Sequence, residues 1–128
     1  MAMKTTIIEA GGREFTKKEL AVIKTSLQSC VDINAATEGD KSLVISVAAY
    51  AVLEIENDRS KGEKVYQKIM LVDTDGAMYI TGSPSFIENF RSVMEVMDGE
   101  DPSTWGLEIF QMESRNYKGK NFITCKVV

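Results

Sequence analysis

Cations and aromatic residues alternate in two stretches of a chain that is otherwise acidic. Residues 114–122, SRNYKGKNF, carry three cations and two aromatic rings around one glycine, with no carboxylate. Upstream, Tyr66 stands between Lys64 and Lys68, at positions that share one face of a strand. Such residues can pair with backbone phosphates and stack on bases. They also occur on exposed strands and hairpin tips simply because these elements face water, so the residues alone leave both interpretations open.

The charge is segregated along the chain. The net charge is −4, yet four cations face one acid between Arg59 and Lys68, and again four face one between Glu113 and Val128. The acids gather elsewhere, notably at Glu95, Asp98, Glu100 and Asp101. Because the position of charge matters more than its sum, the acidic total does not exclude a nucleic-acid partner.

Catalysis and metal binding are not indicated. The chain has no histidine, which removes the commonest general base and transition-metal ligand. Its two cysteines, Cys30 and Cys125, are expected to be buried free thiols. The segment Asp73–Gly76 lacks the spacing of a calcium loop and indicates a turn. We therefore expect a non-enzymatic protein with no metal and no cofactor.

A chain of 128 residues is predicted to form a single domain. It has no apolar run of the ~20 residues that span a bilayer, and its first residues, MAMKTTIIEAGG, show no signal-peptide pattern. The expectation is a cytoplasmic protein with no membrane partner. Within the domain, an N-terminal helical segment of about residues 1–34 precedes a second segment of about residues 42–128.

The helical segment contains one well-marked helix. Thr16 and Glu19 have the spacing of a capping box, and apolar residues recur at helical spacing after them. These signals predict a helix over about residues 17–27. Val31 to Asn34 could add a short strand.

From residue 43 onward the pattern changes to period two. It predicts a strand over 43–56 with a bend around Ala48 and Ala49, then strands over 63–72 and 77–81 joined by a type I′ turn at Asp75-Gly76. A helix over 84–97, with a second capping box at Ser85 and Glu88, is followed by strands over 107–113 and 121–127.

This order, three strands, a helix and two strands, is that of a five-stranded OB-like barrel with a helix between strands 3 and 4. The fold class expected is mainly β with two helices, α+β, comprising this barrel and an N-terminal helix. An open α+β sheet with both helices on one face would give the same order of elements.

The last sixty residues resemble small phage-encoded single-stranded DNA-binding proteins. The resemblance rests on LVDTDGAMYITGSPSFIENFRSVMEVM and LEIFQMESRNYKGKNFITCKVV, with an Asp-Gly turn, a Ser-x-Ser-Phe helix start and Lys-Gly-Lys before a phenylalanine. It implies an OB-like fold and sequence-independent binding during phage DNA replication or recombination, in the cytoplasm of the host cell. Many such proteins end in an acidic tail that recruits partners, whereas this chain ends CKVV.

The leading hypothesis is a binder of single-stranded DNA, and the residues do not distinguish DNA from RNA. The candidate nucleic-acid-binding residues are Lys64, Tyr66, Lys68, Arg115, Tyr117, Lys118, Lys120 and Phe122. The alternative is a phage-encoded inhibitor that acts on a host protein through its acidic surface. A homodimer, through an exposed edge at Leu43–Glu56 or at the C-terminal strand, and a host or phage replication protein are further candidate partners.

Overall fold

The computed structural model describes residues 3–57, 64–113 and 121–128. Within these ranges the chain forms eight strands, three α-helices and two short 3₁₀ helices. The strands are β1 (Met3–Gly12), β2 (Val31–Asp32), β3 (Leu43–Ile45), β4 (Val47–Asn57), β5 (Lys64–Asp73), β6 (Met78–Thr81), β7 (Leu107–Glu113) and β8 (Asn121–Val127). The α-helices are α1 (Lys17–Thr25), α2 (Ile33–Ala36) and α3 (Pro84–Met97). The mainly β, α+β class is confirmed, with one more α-helix than predicted.

The strands form two sheets that share one stretch of chain. The larger sheet has the order β1-β4-β5-β6-β2, and the smaller has the order β3-β7-β8. β3 and β4 are separated only by Ser46, and the register of β4 shifts between Val47 and Ala49. The bend predicted near Ala48 is therefore confirmed. It arises because a bulge with small side chains lets one strand turn from the first sheet into the second.

The N-terminal segment is only partly helical, which corrects our expectation for residues 1–34. Met3–Gly12 forms an edge strand that pairs antiparallel with β4 along most of its length. Gly12 has φ 80°, and a side chain there would collide with the Ala48 carbonyl. Val31–Asp32 does form the short strand considered above, parallel to β6.

The helix starts follow local capping chemistry. At α1, the Glu19 amide donates to Thr16 Oγ1 and the Thr16 amide donates to Glu19 Oε1, which confirms the capping box. At α3, the N-cap is Ser83, whose Oγ accepts the Phe86 amide at 3.3 Å, so the second capping box predicted at Ser85 and Glu88 is wrong. Pro84 occupies the first turn, where its missing N–H has no cost.

The β5–β6 turn is a hairpin, but not of the predicted type. Of its residues only Gly76 has a positive φ, 90°, whereas a type I′ turn needs two such residues. The Gly76 amide donates to the Asp73 carbonyl, and Asp73 Oδ1 accepts the Asp75 and Ala77 amides. Four residues, Thr74 to Ala77, connect the two strands, and the Asp73 side chain accepts two of their amides in place of backbone carbonyls.

Two apolar clusters hold the layers together. The larger lies between the two sheets and α3, and includes Ile69, Leu71, Phe86, Phe90 and Trp105. The smaller lies on the other face of the five-stranded sheet, where α1 covers Ala51, Leu53 and Met70 with Ile23. β4 and β5 are therefore buried on both faces near their centres.

The sheets do not close into a barrel among the described residues. In the smaller sheet the order is β8-β7-β3, and the chain of β3 continues into β4 of the larger sheet, where β5 and then β6 follow. A closed barrel would therefore require β6 to pair with β8. Instead β6 pairs with β2, and Ser85 of α3 donates to the Ile123 carbonyl of β8. Gln111 of β7 donates to Thr37 Oγ1 and to the Asn34 carbonyl of α2. Helical residues thus occupy the gap between the two ends of the strand series.

Candidate nucleic-acid interface

The structure places three of the eight predicted site residues with their side chains. Tyr66 and Lys68 lie on β5, and Phe122 lies on β8. Lys64 begins β5, where only its backbone is described. Arg115, Tyr117, Lys118 and Lys120 lie outside the described residues.

Tyr66 and Lys68 point to the same side of the five-stranded sheet. Their partners on β4 are Ile55 and Leu53, and Leu53 belongs to the smaller cluster under α1. The alternate residues of β5, such as Ile69, face the larger cluster. Tyr66 is 39% exposed, and Lys68 Nζ lies 6.0 Å from the centroid of its ring. An exposed ring with a cation beside it is the combination that base stacking and phosphate pairing require.

A groove of about 620 Å³ opens beside this pair. One wall is formed by β5 and β6, with Tyr66, Lys68 and Thr81. The other lining residues come from the chain that follows α1 and from the start of α2, with Gln28, Asp32 and Asn34 among them. We call this space the β5–β6 groove. Its volume lies within the usual range of small-molecule sites, so a nucleotide-sized group fits.

Asn34 is fixed on three sides at the wall of this groove. Its backbone N–H donates to Asp32 Oδ1 at 3.0 Å, and its backbone carbonyl accepts from Gln111 Nε2 at 3.1 Å. Its Oδ1 accepts from the buried Thr81 hydroxyl at 2.6 Å, and that hydroxyl accepts the Ser83 amide at 3.2 Å. The Thr81 hydroxyl thereby uses both its donor and an acceptor. Because Asn34 faces Thr81 with its Oδ1, the Asn34 Nδ2 group can donate to another acceptor.

The charge in the groove comes from few groups. Lys68 supplies a cation, and no described carboxylate lies within ion-pair distance of it. Asp32 supplies an anion, partly compensated because it caps α2. Burial raises the pKa of the Cys30 thiol, so this wall residue is neutral near pH 7.

Phe122 does not share this surface. On β8 it alternates with Ile123, which is buried in the larger cluster, so the Phe122 ring points away from that cluster on the three-stranded sheet. Tyr66 points away from the same cluster on the five-stranded sheet. The structure therefore separates Phe122 from the pair Tyr66 and Lys68, which the sequence grouped together.

Sequence reasoning missed the second wall of the groove. Gln28, Asp32 and Asn34 carry no recognisable motif, and they reach β6 only through the fold. The one available signal was the short strand considered at Val31–Asn34, since a strand there brings its neighbours to a sheet edge. The Thr81–Asn34 contact joins residues 47 positions apart, which local patterns do not reveal.

Among the residues that the structure describes, no group of three or more Cys, Asp or Glu side chains could hold a metal ion. In residues 3–57, 64–113 and 121–128, no helix combines the length and apolar character needed to cross a membrane. A comparison with protein-family models, curated proteins and solved structures finds no match to this chain.

Proposed function

We propose that the protein binds single-stranded nucleic acid, with the β5–β6 groove as the central part of its site. The observation that carries the proposal is the exposed Tyr66 ring with Lys68 Nζ 6.0 Å from its centroid, at the mouth of a groove of nucleotide size. One base stacks on Tyr66, and Lys68 pairs with a neighbouring phosphate. Such stacking is worth about 1–3 kcal/mol per base and tolerates any sequence.

The order of the strands supports an OB-like architecture as part of this proposal. In that architecture β5 and β6 correspond to the second and third strands. The segments 58–63 and 114–120 then correspond to the connections between strands 1 and 2 and between strands 4 and 5. OB folds bind oligonucleotides on the face of strands 2 and 3 and with these two loops. The two cation-rich stretches of the sequence fall in or beside these loops.

The resemblance to phage single-stranded DNA-binding proteins gives the proposal its biological setting. In that setting the protein coats single-stranded DNA in the host cell cytoplasm during phage replication or recombination, without sequence preference. A replication protein of the phage or host is then its natural partner.

Fluorescence anisotropy tests the proposal directly. A labelled oligo-dT of about thirty nucleotides, several OB-type site lengths, is titrated with protein at low and at physiological salt. We expect tight binding that weakens with salt, with a log–log slope of roughly −3 to −4 if four to six phosphates are neutralised. Duplex DNA of the same length is the control. Absence of binding at low salt, or equal binding of duplex, would overturn the proposal.

A second candidate function rests on the acidic end of α3. Glu95, Asp98 and Glu100 are exposed there, and beside them Val96 is 78% exposed. An exposed apolar side chain with exposed carboxylates close to it in sequence fits a basic surface of another protein, as an inhibitor of a host enzyme would require.

Charge reversal separates the two functions. Glu95→Lys with Glu100→Lys abolishes binding to a basic protein partner but leaves DNA binding unchanged or stronger. Asp101 is unsuitable for this test, because its carboxylate accepts the Ser103 amide and hydroxyl and so shapes the following turn. A loss of DNA binding in the double variant would place the acidic end in the nucleic-acid site and contradict both assignments.

A further inference from the structure

A second cavity, of about 400 Å³, lies where the last turn of α3 and the loop after it meet the start of β4. We call it the α3–β7 cavity. It is distinct from the β5–β6 groove, because Val47 of the cavity and Ile55 of the groove lie roughly 25 Å apart along β4. Its apolar lining comes from both elements and from the residue before Gly106, and comprises Val47, Ala48, Met94, Met97 and Trp105.

We propose that the α3–β7 cavity binds an arginine side chain of a partner protein, with its methylene stem against the apolar lining and its guanidinium among the carboxylates. Arginine has this division, since its stem is apolar and its planar head carries the charge and tolerates partial burial. The inference rests on the second candidate function and deepens it, because it names the chemical group that the acidic end of α3 receives. It does not depend on nucleic-acid binding.

The charged residues of the cavity favour a cation from outside. Of the described charged residues that line it, Asp98, Glu100 and Asp101 are exposed carboxylates and Arg13 is the one cation. The Arg13 guanidinium is already bonded to both Glu19 carboxylate oxygens at 2.8 Å. Within the described ranges, no cation lies within ion-pair distance of Asp98 or Glu100. These two carboxylates are therefore available to a guanidinium, and the same charge disfavours a polyanion here.

The end of α3 adds to this attraction for a cation. The C-terminus of a helix carries a partial negative charge, which a nearby cation stabilises and a nearby carboxylate opposes. The last turn of α3 contains no basic residue, and its C-cap is Asp98. Asp98 and Glu100 therefore lie where carboxylates lower the stability of a protein that has no bound cation. Residues that break a local rule in this way are expected at functional sites.

Trp105 supplies an unpaired donor and part of the apolar lining. It is 8% exposed, and its buried indole N–H has no acceptor among the described residues. Such a donor costs free energy until it finds an acceptor. A carbonyl oxygen of the peptide that carries the arginine would supply one. The volume of the cavity lies in the lower part of the range for small-ligand sites, which suits one long side chain with its adjoining peptide groups.

An NMR titration with a short peptide tests the site. Trp105 is the sole tryptophan of the chain, so its indole N–H gives one proton–nitrogen signal that reports on the cavity. The probe is the capped peptide Ala-Ala-Arg-Ala-Ala, and the matched probe carries citrulline, which has the shape of arginine but no charge. We expect the arginine peptide to shift the signal saturably, with a dissociation constant on the order of 1 mM for one side chain. The citrulline peptide is expected to bind several-fold more weakly.

Two double variants of equal charge change show whether the carboxylates of the cavity are responsible. Asp98→Asn with Glu100→Gln is expected to weaken binding of the arginine peptide about 2- to 30-fold, the loss of two exposed ion pairs. The same variant is expected to unfold at a slightly higher urea concentration, because its side chains no longer oppose the helix end. The control, Asp40→Asn with Glu88→Gln, changes exposed acids that do not line the cavity and binds the peptide like the parent.

The proposal is overturned by an indole signal that does not move, by equal affinity for the arginine and citrulline peptides, or by equal affinities of the two double variants. The second candidate function fails separately. If the arginine peptide binds as expected but a basic protein partner is retained by the Glu95→Lys, Glu100→Lys protein, the cavity site stands and that function does not. If this partner is lost but the arginine peptide does not bind the parent, the function stands and the cavity site does not.

Discussion

Lys68 Nζ lies 6.0 Å from the centroid of the Tyr66 ring, on the same face of β5, and both residues line the β5–β6 groove. At an exposed site this cation–π contact contributes only about 0.5–1 kcal/mol. The cation is therefore free enough to pair with a phosphate while the ring accepts a base. The strand backbone sets the spacing of the two groups, since residues two apart on a strand are held on one face.

Tyr66 is expected to contribute to binding through its ring rather than its hydroxyl. Tyr66→Ala weakens binding of oligo-dT by about 1–3 kcal/mol, or roughly 5- to 150-fold, while Tyr66→Phe binds like the parent. Anisotropy at fixed salt measures both. Phe110→Ala, which removes a ring from the other sheet, is the comparison and leaves the affinity unchanged. Equal losses in the Tyr66→Ala and Phe110→Ala proteins would show a general effect on the fold.

Lys68 is expected to contribute through its charge. Lys68→Gln lowers the affinity and makes the log–log salt slope shallower by about 0.7, the contribution of one phosphate contact with a single strand. The same substitution at Lys126, which is paired with Glu108, provides the control and leaves the slope as in the parent. A slope that is unchanged in the Lys68→Gln protein would remove this residue from the phosphate path.

Thr81 is expected to stabilise the wall of the groove. Thr81→Val keeps the shape but removes the donor to Asn34 and the acceptor for the Ser83 amide, both partly buried. We expect the free energy of unfolding to fall by about 1–3 kcal/mol, the cost of unpaired buried polar groups. Urea denaturation measures it. Thr6→Val, an exposed strand position, is the control and changes stability little.

Glu19 makes stability depend on pH in the acid range. Its hydrogen bonds with Arg13, at 2.8 Å to both carboxylate oxygens, lower its pKa from 4.5 to about 2. A lowered pKa in the folded state adds stability that is complete above pH 4.5 and is lost as pH falls toward 2. Because Arg13 is 41% exposed and solvent screens the pair, we expect on the order of 1–2 kcal/mol.

Acid titration of the unfolding free energy tests this account of Glu19. In the Glu19→Gln protein the loss of stability between pH 4.5 and 2 becomes shallower, whereas the exposed Glu14→Gln variant keeps the slope of the parent. Parallel curves for the parent and the Glu19→Gln protein would contradict the role of the Arg13–Glu19 pair.

Sequence patterns predicted correctly those features that depend on interactions between residues close together in the chain. Thr16 and Glu19 satisfy two helix amides by themselves, so the start of α1 could be read from four residues. The alternation from Leu43 to Glu56 likewise predicted one long strand and its bend. At α3 the helix was predicted correctly, whereas the capping box at Ser85 and Glu88 was not, because Ser83 is the N-cap.

The edge strand β1 was not predicted because no local pattern specifies it. The run Met3–Gly12 has no clean alternation, and a register shift between Ile7 and Glu9 interrupts its pairing with β4. Its backbone groups pair with β4, which follows only after α1 and α2 in the sequence. The same limit applies to the grouping of Phe122 with Tyr66, since both are aromatic residues near cations but point away from the core on different sheets.

The sequence by itself determined the main elements of this protein, the absence of histidine chemistry and the positions of its two cation-rich stretches. These depend on side-chain period, capping and composition, which act over a few residues. Only the tertiary structure decided that α2 and α3 fill the gap between β6 and β8, and that Asn34 meets Thr81 across the β5–β6 groove. Such contacts form between residues distant in sequence, and their free energy comes from burial and hydrogen bonding that exist only once both sheets are assembled.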